Sequence, residues 1–292
     1  MLIGSHVSIS GGLLGAAKEA FSYNANTFMV YTGAPQNTVR KPLSELKIQE
    51  GREYMDEHGI SDIVVHAPYI INLASYKENT FTLAKDFLAK EIDRAYAFGS
   101  RYLVLHPGAY TDKSAEYGIE RIADGINSVI SSGIPDIYIC LETMAGKGTE
   151  IGRKFEELRA IIDRIDKKEN MGVCFDTCHT NDSGYDIVNN FDKVIDEFDN
   201  IIGLDRLKVF HINGSLNPIG AKKDRHANIG ADETNPKGMD YIGFDAINYI
   251  VHHEKTAGRP FILETPWISK TENLYKQEIA RLRGESIWKM PS

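Results

Sequence analysis

Cysteine is scarce in this 292-residue chain, which has only Cys140, Cys174 and Cys178 and no CxxC pair. Three scattered thiols build no disulfide framework, so a packed core must hold the fold, and a reducing, cytoplasmic setting is expected. Long apolar runs are missing as well. No stretch approaches the length of a membrane-spanning helix, so no membrane association is expected. The opening Met1-Leu2-Ile3-Gly4-Ser5-His6 has neither the basic start nor the apolar stretch of a secretory signal. Positive charge is in deficit, with 33 Lys and Arg against 41 Asp and Glu. That balance argues against gripping nucleic acid with the whole surface, although a cleft can be positive on an acidic body. A Gly-rich phosphate fingerprint is also lacking, because Gly11-Gly12 with Gly15 has the wrong spacing for GxGxxG. No linker rich in Pro, Gly or Ser divides the chain, so one domain over residues 1–292 is expected.

What is present is a core. With 42% apolar and 10% aromatic residues the chain is too rich in core-forming side chains to be disordered. Eight short β-rich apolar runs recur at 2–9, 27–31, 62–69, 101–108, 137–143, 171–177, 206–213 and 260–266. Between them, 12–23, 43–58, 80–98, 116–131, 153–166, 190–201 and 244–253 carry apolar residues at three- and four-residue steps, and 272–283 supplies an eighth helix. The runs are short and nearly continuous, as parallel strands covered by helices should be. Eight strand-helix units predict a (β/α)8 TIM barrel, with a doubly wound open sheet as the rival. The one irregular stretch, 213–243, is either a surface excursion or a functional loop.

The chemistry lies at the strand ends. They read Val64-Val65-His66, Val104-Leu105-His106, Cys140-Leu141-Glu142, Cys174-Phe175-Asp176, Val209-Phe210-His211 and Ile262-Leu263-Glu264. In a parallel barrel these ends share one face, where active sites are built. Three carboxylates gathered there would repel one another unless cations compensate, so the pattern points to metal. Asp176-Thr177-Cys178-His179 adds an imidazole in the rim loop, and Asp224-Arg225-His226 places two donors on alternate residues of an extended segment. The nine candidates are His66, His106, Glu142, Asp176, His179, His211, Asp224, His226 and Glu264. They are too many for one ion and suit two or three, the arrangement of phosphodiesterases. Cys174 reads as a small buried hydrophobe. His6 reads as a core or supporting residue, and helix carboxylates such as Glu53 and Glu91 as solvated faces.

The motifs Gly172-Val173-Cys174-Phe175-Asp176-Thr177-Cys178-His179, His211-Ile212-Asn213 and Asp224-Arg225-His226 resemble the signatures of the endonuclease IV family. Gly4-Ser5-His6-Val7-Ser8, the segment from Tyr31 to Asn37, and Leu141-Glu142-Thr143-Met144-Ala145-Gly146 match it too, so the resemblance spans nearly the whole chain. It implies a xylose-isomerase-like TIM barrel with long rim loops at its C-terminal face. It also implies three zinc ions per chain and cleavage of double-stranded DNA 5′ to abasic sites in base excision repair. The products would be a 3′-hydroxyl and a 5′-deoxyribose phosphate, and blocked 3′ ends would be cleaned as well. By the same resemblance, His66, His106 and Glu142 would hold one zinc. Glu142, Asp176, His211 and Glu264 would hold a second, and His179, Asp224 and His226 a third. Glu142 and Glu264 would be the catalytic carboxylates.

Rim loops of the family push into the minor groove. The matching residues are Gly33, Gln36 and Asn37, then Tyr69, Ile70 and Asn72, with Tyr69 and Ile70 as a wedge. Lys222, Lys223 and Arg225 are candidate phosphate contacts, as are Arg40, Lys41 and Lys147. No obligate protein partner is inferred. Two departures stand out. After His211-Ile212-Asn213 the family has an acidic residue, a small one and Lys, whereas this chain has Gly214-Ser215-Leu216. The segment 231–241 is longer and more charged than usual; either Lys222, Lys223 and Arg225 make up for the positive charge lost after Asn213, or 231–241 is simply a solvent-facing insertion that touches nothing. The competing activity on this fold is a single-metal sugar isomerase or epimerase built on Glu142, Asp176, His211 and Glu264.

Overall fold

Strand side chains alternate between two faces, and here that alternation builds the whole architecture. The computed structural model describes residues 1–285. The last residues of the expected domain, 286–292, lie outside those described. Eight parallel strands, β1 (Leu2–His6), β2 (Thr27–Tyr31), β3 (Asp62–His66), β4 (Tyr102–Leu105), β5 (Tyr138–Glu142), β6 (Met171–Asp176), β7 (Leu207–Ile212) and β8 (Pro260–Leu263), close into a barrel. The last strand pairs with the first, Leu2 opposite Pro260, which excludes the open sheet. Each of the eight expected runs contains one of these strands, which fills 27–31 and is shorter than the run in the other seven.

Helices α1 (Gly12–Ser22), α2 (Ile48–His58), α3 (Glu78–Phe98), α4 (Ala115–Ile130), α5 (Phe155–Asp163), α6 (Thr177–Ser183), α7 (Phe191–Ile201), α8 (Phe244–His252) and α9 (Tyr275–Leu282) link and follow the strands. The expected helix over 43–58 is split into a short 3-10 turn, Leu43–Glu45, and α2. The N-cap of α2, Lys47, is left-handed at φ 48°, so the backbone cannot run through it as one helix. α6 has no counterpart in the sequence pattern, because it carries no apolar stripe.

Two apolar layers flank the strands. Outward residues, Val65, Leu105, Leu141, Phe175, Phe210 and Leu263 among them, pack in one cluster with the helices. Inward residues Met29, Val64, Val104, Cys140, Cys174, Val209 and Ile262 form a second cluster inside the barrel. The strand-end donors stand two residues further along the same strands, so they form the next inward layer, directly above an apolar floor.

Two side chains depart from their sequence reading. Glu91 is no solvated helix carboxylate: it is fully buried and takes hydrogen bonds from Thr32 Oγ1 (2.7 Å) and Arg40 Nε (2.8 Å). Arg40 is correspondingly committed to the protein, its Nη1 donating to the carbonyls of Ala34, Asn37 and Val39. The pair anchors the loop after β2.

Candidate metal centre

The nine expected donors converge at the C-terminal mouth of the barrel. Glu142 is their hub. Its Oε2 lies 3.2 Å from His66 Nε2 and 3.1 Å from His106 Nε2, and its Oε1 lies 3.0 Å from His211 Nδ1. His211 Nδ1 also stands 3.1 Å from Glu264 Oε2 and 3.8 Å from Asp176 Oδ2. On the other flank His179 Nε2 is 3.0 Å from Asp224 Oδ1, and His226 Nε2 is 3.7 Å from the same oxygen and 3.9 Å from Asp176 Oδ2. Three tight groups emerge: His66 with Glu142 and His211; Asp176 with His179 and His226; and Glu142 with Asp176, His211 and Glu264. Glu142, Asp176 and His211 each belong to two of them, so the groups adjoin.

Local structure aims each group. Asp176 ends β6 and caps α6, its Oδ1 accepting the His179 N–H at 2.7 Å. That cap starts the unexpected helix and places His179 on its first turn rather than in a free loop. Asp224 also differs from its sequence reading. It is left-handed, at φ 55°, so the pair Asp224 and His226 is gathered by a turn and not by the alternation of an extended segment.

The imidazoles show what the site is built to take. His66 Nδ1 bonds the Ala67 carbonyl (2.7 Å), His179 Nδ1 the Thr143 carbonyl (2.9 Å) and His226 Nδ1 the Glu264 carbonyl (3.2 Å). A carbonyl only accepts, so each Nδ1 carries a proton and each ring turns its Nε2 toward the carboxylates. An Nε2 facing a carboxylate oxygen this closely needs positive charge between them, a proton or a metal ion. His226 Nε2 is buried without a hydrogen-bond partner. Donor pairs 3.0–3.2 Å apart are close to the roughly 3.3 Å edge of a tetrahedron with metal bonds of about 2.0–2.1 Å. The residues therefore fit divalent ions that favour nitrogen and oxygen.

Electrostatics agree. Burial opposes charge on the His106, His179 and His211 rings, yet all three are pushed upward, chiefly by Glu142 at His106, by Asp176 at His179, and by Cys174 and Glu264 at His211. Glu142 is held well below the usual carboxylate range against its burial, mainly by His211 and His106, and Asp224 sits at about 2, against burial, through His179. The site accumulates negative charge and calls for positive charge. Burial pushes the Cys174 thiol up to about 12, as suits a floor residue rather than a ligand.

Supporting residues are less legible in the sequence. Asn213 directly follows β7, donates to Asp176 Oδ2 (2.8 Å) and accepts the Glu264 N–H (2.9 Å), so one carboxamide ties three strand ends together. It is visible in the sequence only as part of a motif. His6 is shifted down to about 4 by burial and faces a cavity of about 840 Å3 beside the centre, together with Tyr31, Gly33, Asn37 and Trp267. Trp267, 40% exposed, is absent from the expected set. Its signal is Glu264-Thr265-Pro266-Trp267, a donor-x-Pro-aromatic string like His66-Ala67-Pro68-Tyr69.

Of the expected DNA contacts, Tyr69 is 56% exposed and its hydroxyl pairs with Tyr31 (2.6 Å). Gln36, Asn37, Lys222, Lys223 and Arg225 are exposed and Gly33 is half-buried. Ile70 packs against the core. Asn72 spends its carboxamide on the backbone of Ala74 and Ala109.

Residues 17–285 match the AP endonuclease 2 family, described as a xylose isomerase-like TIM barrel. A probable endonuclease 4 of Lachnoclostridium phytofermentans is 56% identical over 291 residues, covering 97% of this chain and 94% of that protein. Endonuclease IV from Thermus thermophilus superposes with a TM-score of 0.82 at 27% identity, covering 98% of this chain and 100% of the other. A D-tagatose 3-epimerase-like protein shares the fold at a TM-score of 0.66 and 20% identity, over 98% and 97% of the two chains. With a single fold, nine converging donors and relatives alike over almost their full length, the chain belongs to the endonuclease IV family.

Proposed function

We propose that the chain is a zinc-dependent endonuclease acting on double-stranded DNA in base excision repair. It hydrolyses the phosphodiester 5′ to an abasic site, leaving a 3′-hydroxyl and a 5′-deoxyribose phosphate, and it clears blocked 3′ ends. The observation that carries this reading is the shared Glu142 carboxylate, with imidazoles on both oxygens and further donor groups alongside. His66, His106 and Glu142 would hold one ion, Glu142, Asp176, His211 and Glu264 a second, and His179, Asp224 and His226 a third. Zinc bound there supplies Lewis-acid chemistry, polarising a phosphoryl group and providing a water nucleophile at neutral pH.

The chain's own residues do the rest. Glu142 Oε1 and Glu264 Oε2 both converge on His211 Nδ1, at 3.0 and 3.1 Å, so these atoms would share one ion, and the second oxygen of a carboxylate could orient a water and accept its proton. The apolar floor keeps solvent from entering below. Tyr69 and Ile70 would wedge into the stack at the missing base, where little stacking must be broken. Gly33, Gln36 and Asn37 would line the groove, while Lys222, Lys223 and Arg225 would meet phosphate. Asn72 would shape its loop from within. Three unpaired buried thiols support a reducing, cytoplasmic setting.

The sugar-epimerase reading employs Glu142, Asp176, His211 and Glu264 and leaves five converging donors idle. The deciding assay uses a duplex with one abasic analogue, with and without chelator, and identifies both product ends. Zinc-dependent incision leaving a 3′-hydroxyl is expected; intact duplex under zinc-replete conditions would overturn the reading.

A further inference from the structure

The segment between β7 and α8 carries Asp224 and His226 on a backbone with little regular structure. Its pairing is a two-residue bridge in which Gly214 faces Ala227 and Ser215 faces His226. Two carboxylates from outside the donor set grip this bridge from two sides. Asp182, buried on α6, accepts the Ser215 hydroxyl on Oδ1 (2.6 Å) and the Asp224 N–H on Oδ2 (3.0 Å). Asp240, only 8% exposed, accepts the N–H of Ser215 (3.0 Å) and Ile242 (2.9 Å) on Oδ1 and that of Gly230 (2.9 Å) on Oδ2. Ser215 is the cross-strand partner of His226, and Gly230 lies just beyond it. Asp240 therefore fixes the strand opposite His226 and the chain four residues after it.

The seat for this carboxylate is made by Gly214, where a Cβ would lie 2.6 Å from the Asp240 carboxyl carbon. The two departures noted in the sequence are thus one feature. A glycine after Asn213 leaves a gap, and the longer segment 231–241 fills it with its own aspartate. Most of that segment faces solvent, Asp232, Glu233 and Lys237 included, but Ala231, Asn235 and Asp240 turn inward and are buried.

We infer that Asp240 is a positioning residue for the Asp224 and His226 pair, acting through Ser215 and Gly230. The inference rests on the reading of His179, Asp224 and His226 as one zinc site. Asp224 and Lys222 are both left-handed, at φ 55° and 56°, a conformation that persists only where the surroundings impose it. Freed of the Asp240 grip, the bridge loosens at Ser215 and Gly230 and His226 shifts out of place beside Asp224, whose own N–H Asp182 still holds. The donors at the strand ends are held by the barrel and stay.

The test uses the zinc-loaded full chain, with zinc per chain measured against graded chelator. In Asp240→Asn an amide NH2 faces one of the N–H groups that the carboxylate satisfied. One ion of three should leave at a roughly 10–100-fold lower chelator concentration, the scale of a lost supporting contact around a metal ligand. The other two ions, and the unfolding temperature of the chelated protein, should stay near wild type. Gly214→Ala disturbs the same seat from the opposite side and should give the same selective release. The Asp240→Ala, Gly214→Ala double variant should be less impaired than the two singles combined, because the new methyl occupies the vacated space. Release unchanged from wild type, loss of all three ions together with a lowered unfolding temperature, or additive effects in the double variant would each overturn the inference alone. Wild-type protein that binds fewer than three ions would overturn the reading beneath it as well.

Discussion

The donors at the strand ends and those on the connecting segments are held by different means. His66, Glu142, Asp176 and His211 lie within barrel strands, and His106 and Glu264 follow theirs directly. Their positions are set by strand register, as where Asp176 stands opposite His211. His179, Asp224 and His226 depend on a helix cap, a left-handed turn and a two-residue bridge. The strand-end set has the cooperativity of the sheet behind it. The segment-borne set is as well placed but rests on a handful of side-chain hydrogen bonds, the kind of structure that opens locally without global unfolding.

That contrast can be broken at its rigid end first. Glu142→Gln should reduce abasic-site cleavage by more than the roughly 100-fold that losing a supporting contact costs, with circular dichroism and melting close to wild type. Near-normal cleavage with full metal would remove Glu142 from the chemistry. A smaller effect is expected at the looser end. His226→Ala should lower bound zinc by about one ion per chain while the others remain, as atomic absorption would show. Unchanged stoichiometry would return Asp224 and His226 to a charged surface turn. Smallest is the contribution beyond the donors altogether. Tyr69→Ala should weaken abasic-duplex binding by about 1–3 kcal/mol at fixed salt, with zinc unchanged. Equal affinity would place Tyr69 outside the DNA interface.

The same division explains what can be read from sequence. Strand ends are legible because a polar residue closing an apolar run is conspicuous, so all eight strands and the donors upon them are found there. The segment-borne donors are identifiable as residues, but their geometry is not. The sequence pattern puts Asp224 in extended backbone and His179 in a loop, since a seven-residue helix without an apolar stripe leaves no periodic trace. Supports such as Asn213, Asp182 and Asp240 leave none either. A lone polar residue in a loop looks alike whether it is solvated or buried on a backbone N–H.

The stacking of inward and outward residues along each strand also bears on which changes of length the chain can accept. In Val64-Val65-His66 the first residue belongs to the barrel floor, the second to the helix-packed layer and the third to the metal centre. Adding or deleting one residue within such a string would turn the donor toward the helices and an apolar side chain toward the mouth. Between strands no such constraint applies, because loop lengthening costs little closure entropy. The barrel is thus a fixed reading frame joined by elastic intervals. The long interval between β7 and β8 could grow a segment that carries its own aspartate, while the strands on either side kept their count.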